Sequence, residues 1–166
     1  MAEIDTQLFR QTMGQFSTGV VVATACLEQE PVGFAAQSFV SLSLDPPLVA
    51  LCPAKTSTSW PKMRESGSFC INMLMSDQQA VCDAFARSGG NKFEDLRWSA
   101  GVTGSPVLDG ILAYVDCTLE AEHDAGDHTI VVGRVQKLEV VASGTPLLFF
   151  RGGYGTFEPL TDSVTD

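Results

Sequence analysis

Two long runs of β-forming residues dominate the second half of this chain. They cover residues 114–122 and 129–140, and a polar link that contains one glycine, residues 123–128, joins them. Two such runs around a short polar link predict a β-hairpin with an extended loop. Further strands are predicted at residues 20–22, 32–39, 48–52, 69–74 and 147–151.

Helical patterns are few and short. Residues 5–16 predict a helix that Asp5 or Thr6 can cap. Pro61 suits the first turn of a second helix, and residues 78–87 predict a third. In the first helix the apolar side chains that share one face are those of Phe9, Met13 and Phe16.

The number and order of these elements predict the fold class. Six or seven strands and three short helices, without regular strand–helix alternation, are typical of a mainly β protein built on an antiparallel barrel. We expect one domain over residues 1–166, with its core at about residues 7–157 and a frayed tail at residues 160–166.

Composition and charge narrow the function. The chain of 166 residues is 45% hydrophobic, enough for a full core, and its net charge is −10, with 10 basic and 20 acidic side chains. That balance argues against nucleic acid or an anionic membrane as the main partner. The chain has no apolar run of membrane-spanning length and begins with acidic residues, so a cytoplasmic protein is expected. Its five cysteines are odd in number and lack a Cys-x-x-Cys pair, which favours free buried thiols over a disulfide or a redox pair.

A cluster of hydroxyl side chains follows the strand at residues 48–52. Here Lys55 precedes four consecutive Ser or Thr residues, and a predicted helix follows them. Hydroxyls, backbone N–H groups and a lysine can hold a phosphate group. An ordinary loop that caps the helix explains the same residues.

A second candidate segment, residues 33–38, combines small and polar residues within a strand pattern. Small side chains let a flat ligand approach the backbone, although a strand that crosses tightly over its neighbour needs them too. The chain contains neither a Gly-x-Gly-x-x-Gly motif nor a Walker motif, so a Rossmann nucleotide site or a P-loop has no support.

The link between the two long runs holds both histidines of the chain. His123, His128 and a carboxylate could bind a metal ion, but residues on a bending loop have no enforced geometry. A surface loop, or a histidine that donates a hydrogen bond to a ligand, are the alternatives. The aromatic residues Phe85 and Phe93 flank a glycine-rich turn and suit core packing, a lid or the wall of a ligand site.

The order of these segments resembles the flavin reductase family, whose members supply reduced flavin to two-component monooxygenases. The most specific motifs are Ser-Leu-Asp-Pro-Pro-Leu-Val at residues 43–49 and Gly-Asp-His at residues 126–128. The match extends over residues 7–157 and is closest to the reductase partners of aromatic-ring and steroid-ring hydroxylases. The other matching stretches are residues 9–13, 16–20, 33–42, 69–74, 85–86, 92–93, 104–106 and 146–154.

This resemblance implies a Greek-key, FMN-binding split barrel that works as a homodimer. It implies that the flavin ring lies against Gly33, Phe34, Ala35, Ala36, Gln37 and Ser38. It assigns the ribityl chain and phosphate to Pro53, Ala54, Lys55, Thr56, Ser57 and Ser59, and places Phe85, Ala86 and Phe93 beside the flavin. The nicotinamide nucleotide would be placed by His128, the one catalytic residue, together with Arg151 and Tyr154.

The implied activity is transfer of a hydride from NADH, rather than NADPH, to FMN or FAD. The reduced flavin would then pass to a partner monooxygenase. The cofactors carry this chemistry and the protein orients them, so neither a metal ion nor a nucleophilic side chain is expected. A flavin-binding or electron-transfer protein that does not oxidise NAD(P)H, and a barrel that binds no flavin, are the remaining alternatives.

Overall fold

The structure is a computed structural model, and it describes residues 4–160. Its helices are α1 (Thr6–Met13), α2 (Trp60–Ser66) and α3 (Gln79–Ala86). Its strands are β1 (Thr18–Gly19), β2 (Val21–Leu27), β3 (Glu30–Ala36), β4 (Val40–Leu44), β5 (Pro47–Leu51), β6 (Ser68–Met73), β7 (Trp98–Ala100), β8 (Pro106–Leu108), β9 (Ala113–Ala125), β10 (His128–Val140), β11 (Leu148–Phe150) and β12 (Gly153–Gly155). The described range therefore holds more strands than the six or seven expected. Strands β1, β7, β8 and β12 have only two or three residues each, and β4 was missed although its residues alternate between apolar and polar.

Seven strands form one antiparallel sheet in the order β3-β2-β6-β9-β10-β5-β4. Strand β2, which lies next to edge strand β3, is buried on both faces, since Val21 and Ala23 face one hydrophobic cluster and Val22 faces another. Helix α2 packs into the first cluster, and α3 packs into the second through Cys82 and Phe85. The mainly β, antiparallel fold class predicted from the sequence is confirmed.

The long hairpin is more regular than the sequence suggests. Strands β9 and β10 continue through most of the polar link, and only Gly126 and Asp127 form the turn between them. Gly126 has φ +68°, a positive value that the first central residue of a type II′ turn adopts. The expectation of an extended loop over residues 123–128 is wrong, because polar residues on exposed strands look like loop residues in a sequence.

Two further details differ from the expectations. The strand predicted at residues 147–151 is β11, which ends at Phe150. A turn at Arg151 and Gly152 then brings a further strand, β12, back against β11. Helix α1 is shorter than residues 5–16, with the Asp5 carboxylate accepting a hydrogen bond from the backbone N–H of Gln7 at 3.0 Å. The expected frayed tail lies outside the described residues, apart from Leu160.

All five cysteines are free thiols, as expected, and three of them, Cys70, Cys82 and Cys117, are buried. Over residues 4–160, every helix is too short or too polar to cross a lipid bilayer.

Candidate active site

A pocket of about 440 Å³ lies where edge strand β3 meets both α2 and α3. Its volume is within the range usual for small-molecule sites. Four parts of the chain line it: residues 34–38, residues 52–54 and 56–59, residues 85–88 with Lys92, and His128. The structure thus brings together three segments that the sequence suggested separately.

The strand side of the pocket depends on Gly33. A Cβ atom at this position would lie 2.6 Å from the carbonyl oxygen of Ala23 and 2.8 Å from the Phe85 ring, so no larger residue fits without displacement. The carbonyl oxygen of Gly33 accepts hydrogen bonds from the Ser59 hydroxyl at 2.8 Å and from the Lys92 ammonium at 3.1 Å. Gly33 therefore holds the strand against α3 and links it to the hydroxyl-rich loop.

The hydroxyl-rich loop, residues 53–59, is anchored by the start of β10. The backbone N–H of Thr129 donates to the carbonyl of Pro53 at 3.0 Å, and the N–H of Lys55 donates to the carbonyl of Asp127 at 2.9 Å. The Ser57 hydroxyl accepts from the N–H of Trp60 at 3.1 Å, which caps α2. One hydroxyl of the loop therefore binds the first N–H of a helix, while the loop also lines the pocket, and phosphate binding by the loop stays a prediction.

Several donors of this loop have no acceptor among residues 4–160. They are the backbone N–H groups of Thr56 and Thr58 and the hydroxyl groups of the same two residues, and both residues line the pocket. Lys55 does not line the pocket, because its ammonium forms an ion pair with the carboxylate of Asp124. The cation expected at residue 55 therefore points to the hairpin instead.

Two other cations, Arg87 and Lys92, do line the pocket. The Lys92 ammonium donates to the carbonyls of Gly33 and Phe85, each at 3.1 Å, and burial lowers the pKa of this lysine. An ammonium has three N–H donors, so one remains for a ligand. Neither Arg87 nor Lys92 was predicted from the sequence as a site residue. Two cations beside a glycine-rich turn in an acidic chain could have indicated an anion-binding role for them.

His128 reaches the pocket from the first residue of β10, where it pairs with Ala54 across an antiparallel bridge. The Nδ1 atom of His128 lies 2.8 Å from a carboxylate oxygen of Asp127. This hydrogen bond lowers the pKa of Asp127, and it leaves Nε2 as the ring nitrogen available to a ligand. His123 is exposed on β9 beside Ile130 of β10, so the turn separates the two histidines.

The third wall is aromatic. Phe85 is almost fully buried and lines the pocket together with Ala86. Phe93 packs edge-on against Phe85, with ring centroids 5.0 Å apart, and lies behind it rather than in the pocket lining. Phe93 therefore supports the wall from behind.

Comparison with known proteins identifies this arrangement. The family model described as "Flavin reductase like domain" matches residues 13–158. This chain belongs to that family. The resemblance stated from the sequence is confirmed, and the pocket described above is the candidate active site of a flavin reductase.

Curated relatives and solved structures agree with the family. The reductase subunit HsaB of a flavin-dependent monooxygenase from Rhodococcus jostii (strain RHA1) is 48% identical, over 94% of this chain and 80% of its own. The FMN reductase (NADH) SmoA from Agrobacterium fabrum is 43% identical, over 92% and 87%. Nitrilotriacetate monooxygenase component B from Mycobacterium thermoresistibile superimposes with a TM-score of 0.90 at 44% identity, over 98% and 96%.

Arg151 and Tyr154 lie outside the main pocket of this flavin reductase. The Arg151 guanidinium is 4.9 Å from the centre of the Phe150 ring and donates to the Gln15 side chain at 2.9 Å. The Tyr154 hydroxyl lies 3.2 Å from the Cys82 sulfur and donates to Asp83 at 3.1 Å; these contacts raise its pKa. Tyr154 lines a smaller cavity of about 120 Å³ that shares residues 35–37 and Ala86 with the main pocket.

Proposed function

We propose that the main pocket binds flavin and positions NADH beside it. The observation that carries the proposal is the convergence of residues 34–38, the loop at 53–59 and His128 on one pocket of about 440 Å³. As a member of this family, the chain is an NADH-dependent flavin reductase that supplies reduced flavin to a partner monooxygenase. The finer placement, beside the reductases of aromatic-ring and steroid-ring hydroxylases, and a cytoplasmic location are part of the proposal.

The residues present fit a flavin nucleotide. Small side chains at Ala35 and Ala36 leave room for a flat ring system against the end of β3, with Phe85 as an apolar wall. The N–H and hydroxyl groups of Thr56 and Thr58, which have no acceptor within residues 4–160, are suitable donors to a phosphate, and Lys92 supplies positive charge. The position of Lys55 gives no support to a phosphate role for that residue.

A bound flavin accepts a hydride from NADH, and the side chains need only bind and orient the two reactants. The hydrogen bond to Asp127 fixes the ring of His128, so that Nε2 can hold a polar group of the nicotinamide nucleotide at the mouth of the pocket. Arg151 and Tyr154 remain predicted contacts of that nucleotide, reached from the adjoining cavity.

Anaerobic stopped-flow absorbance with flavin and NADH tests the proposal. We expect rapid bleaching of the oxidised flavin band by the native protein. His128→Ala should raise the KM for NADH or slow bleaching by about tenfold, which corresponds to one hydrogen bond to a charged or strongly polar group. His123→Ala is the matched control, since His123 is exposed on the other strand of the hairpin, and it should behave as the native protein.

The outcomes separate the alternatives. Unchanged kinetics for His128→Ala would remove His128 from the site. Flavin binding without bleaching by NADH would leave a flavin-binding or electron-transfer protein.

We also propose that the protein is a homodimer. The apolar side chains of α1 and of the turn after it are exposed in the described chain: Phe9 by 55%, Met13 by 53%, and Phe16, which lies beyond the end of the helix, by 77%. A second copy of the chain would cover them, since apolar faces of this kind are typical of interfaces.

A further inference from the structure

A second pocket, of about 310 Å³, adjoins the main one. Both pockets are lined by Thr58, Ser59 and Lys92, so the hydroxyl-rich loop forms the boundary between them. Beyond that boundary lie Lys62 of α2 and the turn at residues 89–91. A phosphate held at Thr56 and Thr58 would lie beside this second pocket, since Thr58 lines both.

The charges around the two pockets are unusual for this acidic chain. Among residues 4–160, five of the ten Lys and Arg side chains pair with carboxylates: Lys55, Arg64, Arg97, Arg134 and Lys137. Three of the remaining five line the joined pockets, and they are Lys62, Arg87 and Lys92. Cations left without a carboxylate in a chain of net charge −10 are available to an anionic ligand.

The second pocket also offers neutral polar contacts and space. Asn91 adds an amide, while Gly89 and Gly90 have φ of +76° and +75°, and a Cβ atom at either glycine would have no heavy atom within 4 Å. Glu30 is the acidic residue of the lining, at the start of β3. A nucleoside can meet an amide and a carboxylate with its base and ribose, while its phosphate meets the lysines.

From this shared wall and the charges around it we propose that the second pocket binds the adenylate half of FAD, so that this reductase favours FAD over FMN. The two flavins share the ring and the first phosphate, and only FAD has a second phosphate with an adenosine attached. Lys62 and Lys92 would bind that pyrophosphate. The inference rests on the proposed flavin site, and it assigns to Lys62 a role in choosing between the two flavins.

Titration of the purified protein with FAD and with FMN, followed by flavin fluorescence, tests this inference. The native protein should bind FAD more tightly than FMN. Lys62→Gln should raise the Kd for FAD about fivefold, the usual effect of one partly exposed charge contact, and change the Kd for FMN less than about twofold. Arg97→Gln removes one positive charge from a residue that lines neither pocket, and it should change neither Kd.

Other results would overturn the inference. An equal rise in Kd for both flavins in Lys62→Gln would place Lys62 at the shared phosphate. An unchanged Kd for both would leave the second pocket without a role in flavin binding. A rise in the KM for NADH with both flavin affinities unchanged would assign the pocket to the adenylate of NADH instead. If the native protein binds neither FMN nor FAD, the flavin site itself is wrong.

Discussion

Replacing Gly33 by alanine tests how the flavin site is built. The new Cβ atom would lie 2.6 Å from the carbonyl oxygen of Ala23 and 2.8 Å from the ring of Phe85. Neither neighbour can move freely, because the first is backbone of the paired strand β2 and the second is 1% exposed in the core. Strand β3 or helix α3 must therefore shift.

The expected cost follows from these contacts. Overpacking of a tight site costs about 1–3 kcal/mol, and the smaller chain entropy of alanine in the unfolded state offsets about 0.4–1 kcal/mol of it. We expect a net loss of about 1.3 kcal/mol in the free energy of unfolding. For a chain of this size, that lowers the melting temperature by about 3–5 °C.

The substitution should also weaken flavin binding. The carbonyl of Gly33 accepts the bonds from Ser59 and Lys92, so a shift of β3 moves both pocket walls. We expect a Kd for flavin about tenfold higher, measured by fluorescence titration below the melting temperature of the variant.

Gly19→Ala is the matched control, because a Cβ atom at residue 19 has no heavy atom within 4 Å. Thermal unfolding without flavin should show this control as stable as the native protein or up to about 1 kcal/mol more stable, because alanine lowers the entropy of the unfolded chain. If Gly33→Ala melts with the control and binds flavin as tightly, the close approach of β3 to α3 does not shape the site.

The remaining predictions concern assembly and pH. Sedimentation should show the native protein as a dimer and the double variant Phe9→Glu, Met13→Glu as a monomer, because two charges would enter the apolar face of α1; a native monomer would contradict the homodimer. Burial and the Asp116 carboxylate raise the pKa of the Cys117 thiol from 9.0 to about 12, and they raise that of Cys70 as well. Above pH 9 the unfolded chain therefore loses protons that the folded protein keeps, so the free energy of unfolding should fall as pH rises, by up to about 1.4 kcal/mol per pH unit for each thiol. Urea unfolding at several pH values from about 8 to about 11 should show that fall, with a smaller slope in Cys117→Ala; equal slopes would rule out Cys117 as a contributor to it.

The sequence alone predicted the parts of the fold that depend on local pattern. The runs at residues 114–122 and 129–140 predicted the long hairpin, because β-forming residues were continuous over many positions. The turn at Gly126 and Asp127 was missed, since exposed strand residues such as His123 and Asp124 are polar like those of a loop.

The segments of the site were also predictable, because residues 33–38, residues 53–59 and the Gly-Asp-His motif carry strong residue preferences. The sequence did not predict which charged side chains enter the pocket. Lys55 belongs to the loop at residues 53–59, but the hairpin places Asp124 beside its ammonium. Lys92 instead binds the carbonyl of Gly33, which lies 59 positions away along the chain.

The amino-acid sequence by itself determined the β-rich class, the family and the segments that line the pocket, because periodicity and short motifs are local properties of a chain. Only the tertiary structure decided that Phe9, Met13 and Phe16 stay uncovered, that Phe93 stands behind Phe85, and that Lys62, Arg87 and Lys92 surround two joined pockets. These features depend on how far-apart segments pack and on which charges pair, and both are settled by contacts between residues that are distant along the chain.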